Sequence, residues 1–202
     1  MADIQPLRGV RFNPRTSGPI GSLIAPPYDV ATESGDSAEF NIRKIEGVDL
    51  GAGDNHAVAA RRFRSWLDQG VLRADRDPMI YIHRHRFPLN GAITERTGLI
   101  ARVRLTDWSE RVVLPHERTT PGPREERRRR LSVVEANLSP LYLLFRDPAG
   151  EIRDVISTQS QTSPNFSDRD QMGGVHELVA SAHPEFHDQI ARLFAERTLF
   201  MA

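Results

Sequence analysis

Residues 114–127 read Leu114-Pro115-His116-Glu117-Arg118-Thr119-Thr120-Pro121-Gly122-Pro123-Arg124-Glu125-Glu126-Arg127, and no other stretch of the 202-residue chain packs chemistry so densely. Arg118 and Arg124 can clamp phosphate oxygens through paired N–H donors. Thr119 and Thr120 can donate hydroxyls. Glu117 could act as a general base or hold Mg2+. His116 could donate to a phosphate or transfer a proton. Prolines and Gly122 fix the backbone around these side chains. Free backbone N–H groups at a helix start, together with the positive end of its dipole, would face an anion.

Two familiar hydrolytic readings fail here. A zinc-protease helix needs a second histidine four residues after the first, and position 120 is Thr120. No Gly-x-Ser-x-Gly elbow occurs anywhere. Phosphate binding or phosphate chemistry remains. The alternative for the helix body is a solvated charged face, with Glu125–Arg129 and Glu126–Arg130 as supporting i,i+4 pairs.

The elements that must position this loop are a strand-like segment, Glu110 to Leu114, and a helix from about Arg124 to Ala136. Pro123 suits a first helical position, although it removes one donor. Asn137-Leu138-Ser139-Pro140 stops the helix, and Asn137 and Ser139 either touch ligand or only terminate it. A second candidate lies upstream in Ile24-Ala25-Pro26-Pro27-Tyr28-Asp29-Val30. Its two prolines present Tyr28 and Asp29 rigidly. Asp29 would serve as an acid/base or metal group and Tyr28 as a ligand contact. The alternative is a stiff connection whose Tyr packs and whose Asp caps a turn.

Composition bounds the rest. Apolar residues at 39 % and charged residues at 27 % are ordinary for a globular protein. The net charge is zero, which argues against a nucleic-acid track, whereas residues 111–130 alone carry seven Arg against three Glu. That local excess favours a small anionic or phosphorylated ligand. Lys44 is the only lysine. Cysteine is absent, which excludes disulfides, thiolate metal sites and cysteine nucleophiles. No signal peptide and no apolar run of membrane-spanning length is visible, so the cytoplasm is the expected compartment.

In chain order, residues 1–30 look irregular, and Phe40 to Ile45 could be a short strand or a helical turn. Gly51-Ala52-Gly53-Asp54-Asn55-His56 lacks the third glycine of a dinucleotide fingerprint, and no P-loop occurs. Residues 54–69 form the clearest helix, capped by Asp54, stopped by Gly70, with Ala59, Phe63, Trp66 and Leu67 on one face. Met79 to Phe87 and Ile93 to Leu105 read as strands joined by an Asn90-Gly91 turn. Tyr81, His83, His85 and Phe87 share one face of the first. His83 and His85 could ligate a metal, but the sequence offers no third ligand nearby, and cross-strand packing is favoured. Leu141 to Phe145 and Glu151 to Ile156 read as a second hairpin around Asp147-Pro148-Ala149-Gly150. Residues 157–172 read as an exposed loop and Val175 to Val179 as a strand. Pro184 opens a final helix with a Phe186, Ile190, Leu193 and Phe194 stripe. His183 and His187 resemble a metal pair, but His183 precedes the helix. Arg197 to Ala202 reads as a strand.

Ile24-Ala-Pro-Pro-Tyr-Asp-Val30, Trp66-Leu67 with Gly70-Val71-Leu72, Pro115-His-Glu-Arg-Thr119 with Pro121-Gly-Pro123, and Ala136-Asn-Leu-Ser-Pro140 resemble the domain of unknown function 1015 family along essentially the whole chain. That family is in turn distantly similar to the ParB/sulfiredoxin-like superfamily, which includes an ADP-dependent free-serine kinase. The resemblance implies an α+β fold of antiparallel hairpins with a few helices: a single domain over 1–202, with a partial ParB/sulfiredoxin-like core and a large insertion. It also implies that the chain is an amino-terminal portion, ending just before a histidine-rich motif. The expected function is nucleotide or phosphate binding with ADP or ATP and Mg2+, and serine-type kinase activity when full length. The alternative is a non-enzymatic nucleotide- or nucleic-acid-binding module of the ParB type.

Overall fold

The computed structural model describes residues 1–18, 22–23, 38–46, 55–115, 121–170 and 172–202. The architecture is α+β, with mostly antiparallel sheets and five α-helices among the described residues. Two compact units form. One takes Met1–Gly9, Asp75–Arg118 and Leu141–Ala202, the other Val10–Ala74 and Thr119–Pro140.

The first unit is organised by a sheet. Strand β4 (Ile80–Leu89) turns into β5 (Ala92–Ile100) through Asn90 and Gly91, whose φ angles of 50° and 79° are those a tight two-residue hairpin requires. Strand β10 (Val175–Ser181) pairs antiparallel with the other side of β4, and β9 (Phe166–Arg169) pairs with β10. The order is therefore β5-β4-β10-β9. Because side chains alternate along a strand, Ile80 and Ile82 turn to one face and are fully buried there. Tyr81, His83, His85 and Phe87 turn to the other, as the sequence pattern implies.

Two helices cover the apolar face. Helix α4 (Glu151–Gln159) contributes Ile152 and Ile156, and helix α5 (Pro184–Ala195) contributes Phe186, Ile190 and Phe194. These join Ile80, Ile82 and Val179 in one core. Each fully buried aliphatic side chain there contributes about 1.5–3 kcal/mol. Leu199 of β11 (Leu199–Met201) enters the same core. β11 runs parallel to β7 (Val113–Leu114) and antiparallel to β8 (Leu143–Leu144), and β1 (Ile4–Gln5) pairs with β6 (Arg102–Val103).

Several sequence expectations are corrected here. Glu151 to Ile156 is helix, not the second strand of a hairpin. Ile152, Val155 and Ile156 sit at i, i+3 and i+4, and the helical face they make outweighs their β-branched preference. The polar stretch 157–172 contains strand β9, whose backbone pairs with β10 although its side chains alternate between half-buried and exposed. Residues 1–30 contain β1 and also β2 (Val10–Phe12). The segment Glu110 to Leu114 splits into a 3-10 turn at Trp108–Glu110 and the short β7.

The second unit is mainly helical. Helix α2 (Asn55–Asp68) ends at Gly70, whose φ of 70° and N–H bond to the Leu67 carbonyl close the last turn. Trp66 packs against Phe12 and Phe40 at ring separations of 6.0 and 5.7 Å. β2 pairs with β3 (Leu72–Ala74), which places Phe12 there. Helix α3 (Pro121–Val134) rests on α2 where Ala59 and Ala60 are small enough to admit Val134. A short helix, α1 (Arg43–Glu46), supplies Ile45. The expected cap Asp54 lies outside the described residues.

Candidate functional site

Tyr28, Asp29, His116, Glu117, Arg118, Thr119 and Thr120 lie outside the described residues. Gly122 belongs to the first turn of α3, which begins at Pro121, earlier than Arg124. Arg124 is exposed on that turn. Of the two expected i,i+4 pairs, Glu126–Arg130 forms at 3.7 Å, whereas Glu125 turns to Arg128 at 2.7 Å. Asn137 is exposed beyond the helix end.

Ser139 is also exposed, and its hydroxyl donates to Glu46 Oε1 at 3.3 Å. Arg130 donates to the Glu46 carbonyl at 2.7 Å. Burial raises the Glu46 carboxyl above its ordinary value, and the Ser139 bond and the Arg130 and Arg43 charges only partly oppose it. In the described structure, Ser139 thus serves the protein's own packing, tying the segment after α3 to α1.

A second polar cluster is built by strand register. β4 and β10 place His85 directly opposite His176, and Leu178 opposite His83. The imidazoles of His85 and His176 stack at 4.0 Å, and those of His83 and His176 at 5.2 Å. Asp170 joins them from the β9–β10 turn. Its Oδ1 accepts the N–H groups of Met172 at 2.9 Å and Gly174 at 2.8 Å. That leaves Oδ2 facing His176 Nε2 at 3.0 Å and His85 Nε2 at 3.5 Å.

The electrostatics follow from this geometry. Burial would raise the Asp170 carboxyl, but the His176 bond and the Gly174 and Met172 amides outweigh it and hold it below the usual range. Burial, then the neighbouring His176, His85 and Arg96 charges, push His83 down to about 4. His85 is lowered by burial, His176 and Arg96, with Asp170 pulling the other way. The ionised carboxylate makes His176 Nε2 the donor of that bond. Nδ1 of a neutral His176 then accepts from His83 Nε2, 3.0 Å away. At 3.5 Å the His85–Asp170 pair is an ion pair only when the imidazole is protonated. His85 Nε2 is buried with no hydrogen-bond partner among the described residues.

The sequence shows His83 and His85 as neighbours on one strand face, but not His176 and Asp170. His83 and His176 are 93 positions apart, and only the β4–β10 register joins them. The Asp-x-x-Gly-Gly turn followed by an alternating strand is the one local signal available for Asp170. The other histidine pair is His183 and His187. His187 Nε2 donates to the Ser181 carbonyl at 2.8 Å, and His183 stands at the N-cap position of α5 without a side-chain cap bond.

Fold and clusters together define an α+β protein with a histidine–aspartate cluster on one sheet face and an arginine-rich helix. Over residues 4–202 the chain matches the family described as Protein of unknown function (DUF1015), and it belongs to that family. Neither the curated proteins nor the solved structures gave a match. No helix among the described residues is long and apolar enough to cross a membrane.

Proposed function

We propose that the chain binds a nucleotide or another small phosphorylated ligand, with ADP or ATP and Mg2+ as the leading candidates. The activity this reading supports is that of a small-molecule kinase of the serine-kinase type. One observation carries the reading. The Pro-His-Glu-Arg-Thr-Thr segment runs directly into the first turn of the 14-residue helix α3, with Arg124 exposed on that turn. First-turn N–H groups and the helix dipole favour an anion there. Pro121 and Pro123 have no N–H, so the first-turn amides on offer are those of Gly122 and Arg124. The distant similarity to ParB/sulfiredoxin-like proteins that the sequence motifs imply would agree with this reading.

In this mechanism Arg118, Thr119 and Arg124 hold phosphate oxygens, and Glu117 or Asp29 carries the metal or takes the acceptor's proton. The test is a thermal-shift and calorimetric titration with ADP, ATP and CTP, each with and without Mg2+. A ligand at a hundredfold excess over its Kd should stabilise the chain by ~2.7 kcal/mol. Arg118→Ala should weaken that binding by at least ~1.5 kcal/mol, the scale of a charge-assisted hydrogen bond. Unchanged affinity in the variant would remove the segment from the site.

A further inference from the structure

We infer that His85, His176 and Asp170 form a binding site for one divalent transition-metal ion of the zinc class, with His83 as the residue that orients His176. Each of the three residues offers one ligand atom, and these atoms lie within 4.8 Å of one another; His85 Nε2 and His176 Nε2 are the ring nitrogens that face Asp170 Oδ2. Two of the separations are 3.0 and 3.5 Å. Nitrogen and oxygen ligands at 2.0–2.2 Å around a tetrahedral ion stand about 3.3–3.6 Å apart. Both separations from Asp170 Oδ2 are therefore near the spacing an ion needs, and the His85 and His176 rings, stacked at 4.0 Å with 15° between their planes, turn out of that stack to converge on it.

Three independent features support a ligand rather than a self-contained polar cluster. Asp170 Oδ1 is saturated by two backbone N–H groups, so the Oδ2 lone pairs are presented rigidly to one side. The buried His85 Nε2, without a hydrogen-bond partner among the described residues, is aimed at the same point. Gly174 keeps that point open. A Cβ there would stand 2.6 Å from Asp170 Oδ2 and 2.7 Å from His85 Nε2. The His85, Asp170 and His176 side chains are 15 %, 24 % and 29 % exposed, so an ion can reach them and keep a solvent ligand.

The donor set selects the metal class. Two imidazoles and one carboxylate, with no thiolate, suit zinc and its neighbours rather than calcium or magnesium, which prefer all-oxygen cages. The next layer of residues also suits it. A metal-bound histidine donates its other ring N–H to a partner. When Nε2 of His176 binds the ion, its proton sits on Nδ1 and is donated to His83 Nε2. His83 then carries its own proton on Nδ1 and becomes the acceptor. His85 likewise moves its proton to Nδ1, which Arg96 now faces at 3.4 Å. That guanidinium must swing aside, and it is an exposed side chain that also lies over the Phe87 and Tyr142 rings.

The test uses the whole chain and Zn2+ alone, competed against a chromophoric chelator, with Co2+ as a spectroscopic substitute. The expected result is one ion per chain with micromolar or tighter affinity. Co2+ should give the intense visible bands of a four- or five-coordinate site. His176→Ala and Asp170→Asn should each lose roughly a hundredfold or more, and His83→Gln roughly tenfold, the scale of an outer-shell partner. Gly174→Ala should also weaken binding, while Arg96→Gln should tighten it. His187→Ala should leave it unchanged. Circular dichroism and melting without metal establish that each variant folds. The Co2+ spectrum of the unmodified chain needs no variant. No stoichiometric Zn2+ binding, an octahedral Co2+ spectrum, or binding that survives loss of both His85 and His176 would overturn the proposal.

Discussion

The two polar regions of this protein are built in opposite ways. The arginine-rich segment is contiguous in sequence and sits at the start of an exposed helix. The histidine cluster is scattered over β4, β10 and a turn, and it assembles on a sheet whose other face is packed with Ile80, Ile82 and Val179. On α3 the described charges mostly face solvent, and their partners are near neighbours on the same helix, such as Glu125 and Arg128. On the sheet the polar atoms are held by backbone amides and by strand register. Density of charge in a sequence thus marks a candidate, whereas precise placement of polar atoms comes from what lies beneath them.

If this contrast holds, the sheet cluster should be sensitive to its apolar foundation. Ile82→Ala, one residue from His83 and fully buried on the opposite face, should cost ~2–5 kcal/mol in chemical denaturation. A cost near zero would show that the sheet does not rest on this core. Val134→Ala removes the buried contact of α3 with Ala59 and Ala60, and should cost roughly 1–3 kcal/mol. If it cost as much as Ile82→Ala, the helix would be as firmly founded as the sheet, and the comparison would fail.

Smaller effects sharpen the picture on the helical side. Glu46 has a raised folded-state value, so the folded protein binds a proton more readily than the unfolded chain above pH 4.5. Stability should therefore fall as pH rises from 4.5 through the folded value. Glu46→Gln should remove that dependence and slightly stabilise the protein at neutral pH, by less than either core truncation costs. Melting curves at pH 4 and pH 7 check this, and a variant less stable than wild type at pH 7 would reverse the sign. Arg128→Ala should leave the unfolding midpoint unchanged, because its pair with Glu125 is solvent-exposed.

Much of the fold is legible in the sequence because its signals are local. Asn90-Gly91 specifies a turn by backbone angle alone. The Phe186, Ile190 and Phe194 stripe fixes both the existence and the buried face of α5. Glu151 to Ile156 misleads because its β-branched residues fit a strand, and only the core contributed by α5 and β4 decides for a helix. Strand β9 is hidden for a related reason. Its sequence, Phe166-Ser167-Asp168-Arg169, is polar, and its order comes from backbone pairing with β10.

The sites divide along the same line. His116 to Thr120 and Asp29 announce their chemistry as types and spacing, but their placement lies outside the described residues. His83 and His85 are visible as a pair. Their completion by His176 and Asp170 depends on a register between distant strands that no local pattern encodes.

The most direct test of the register-built site is a long-range 15N NMR spectrum of the histidine rings, recorded without and then with one equivalent of Zn2+. Without metal, His176 should carry its proton on Nε2, donated to Asp170. With Zn2+, the His85 and His176 Nε2 signals should shift to metal-bound values, and the His176 proton should move to Nδ1, facing His83. Unchanged His85 and His176 tautomers on adding Zn2+ would contradict the account.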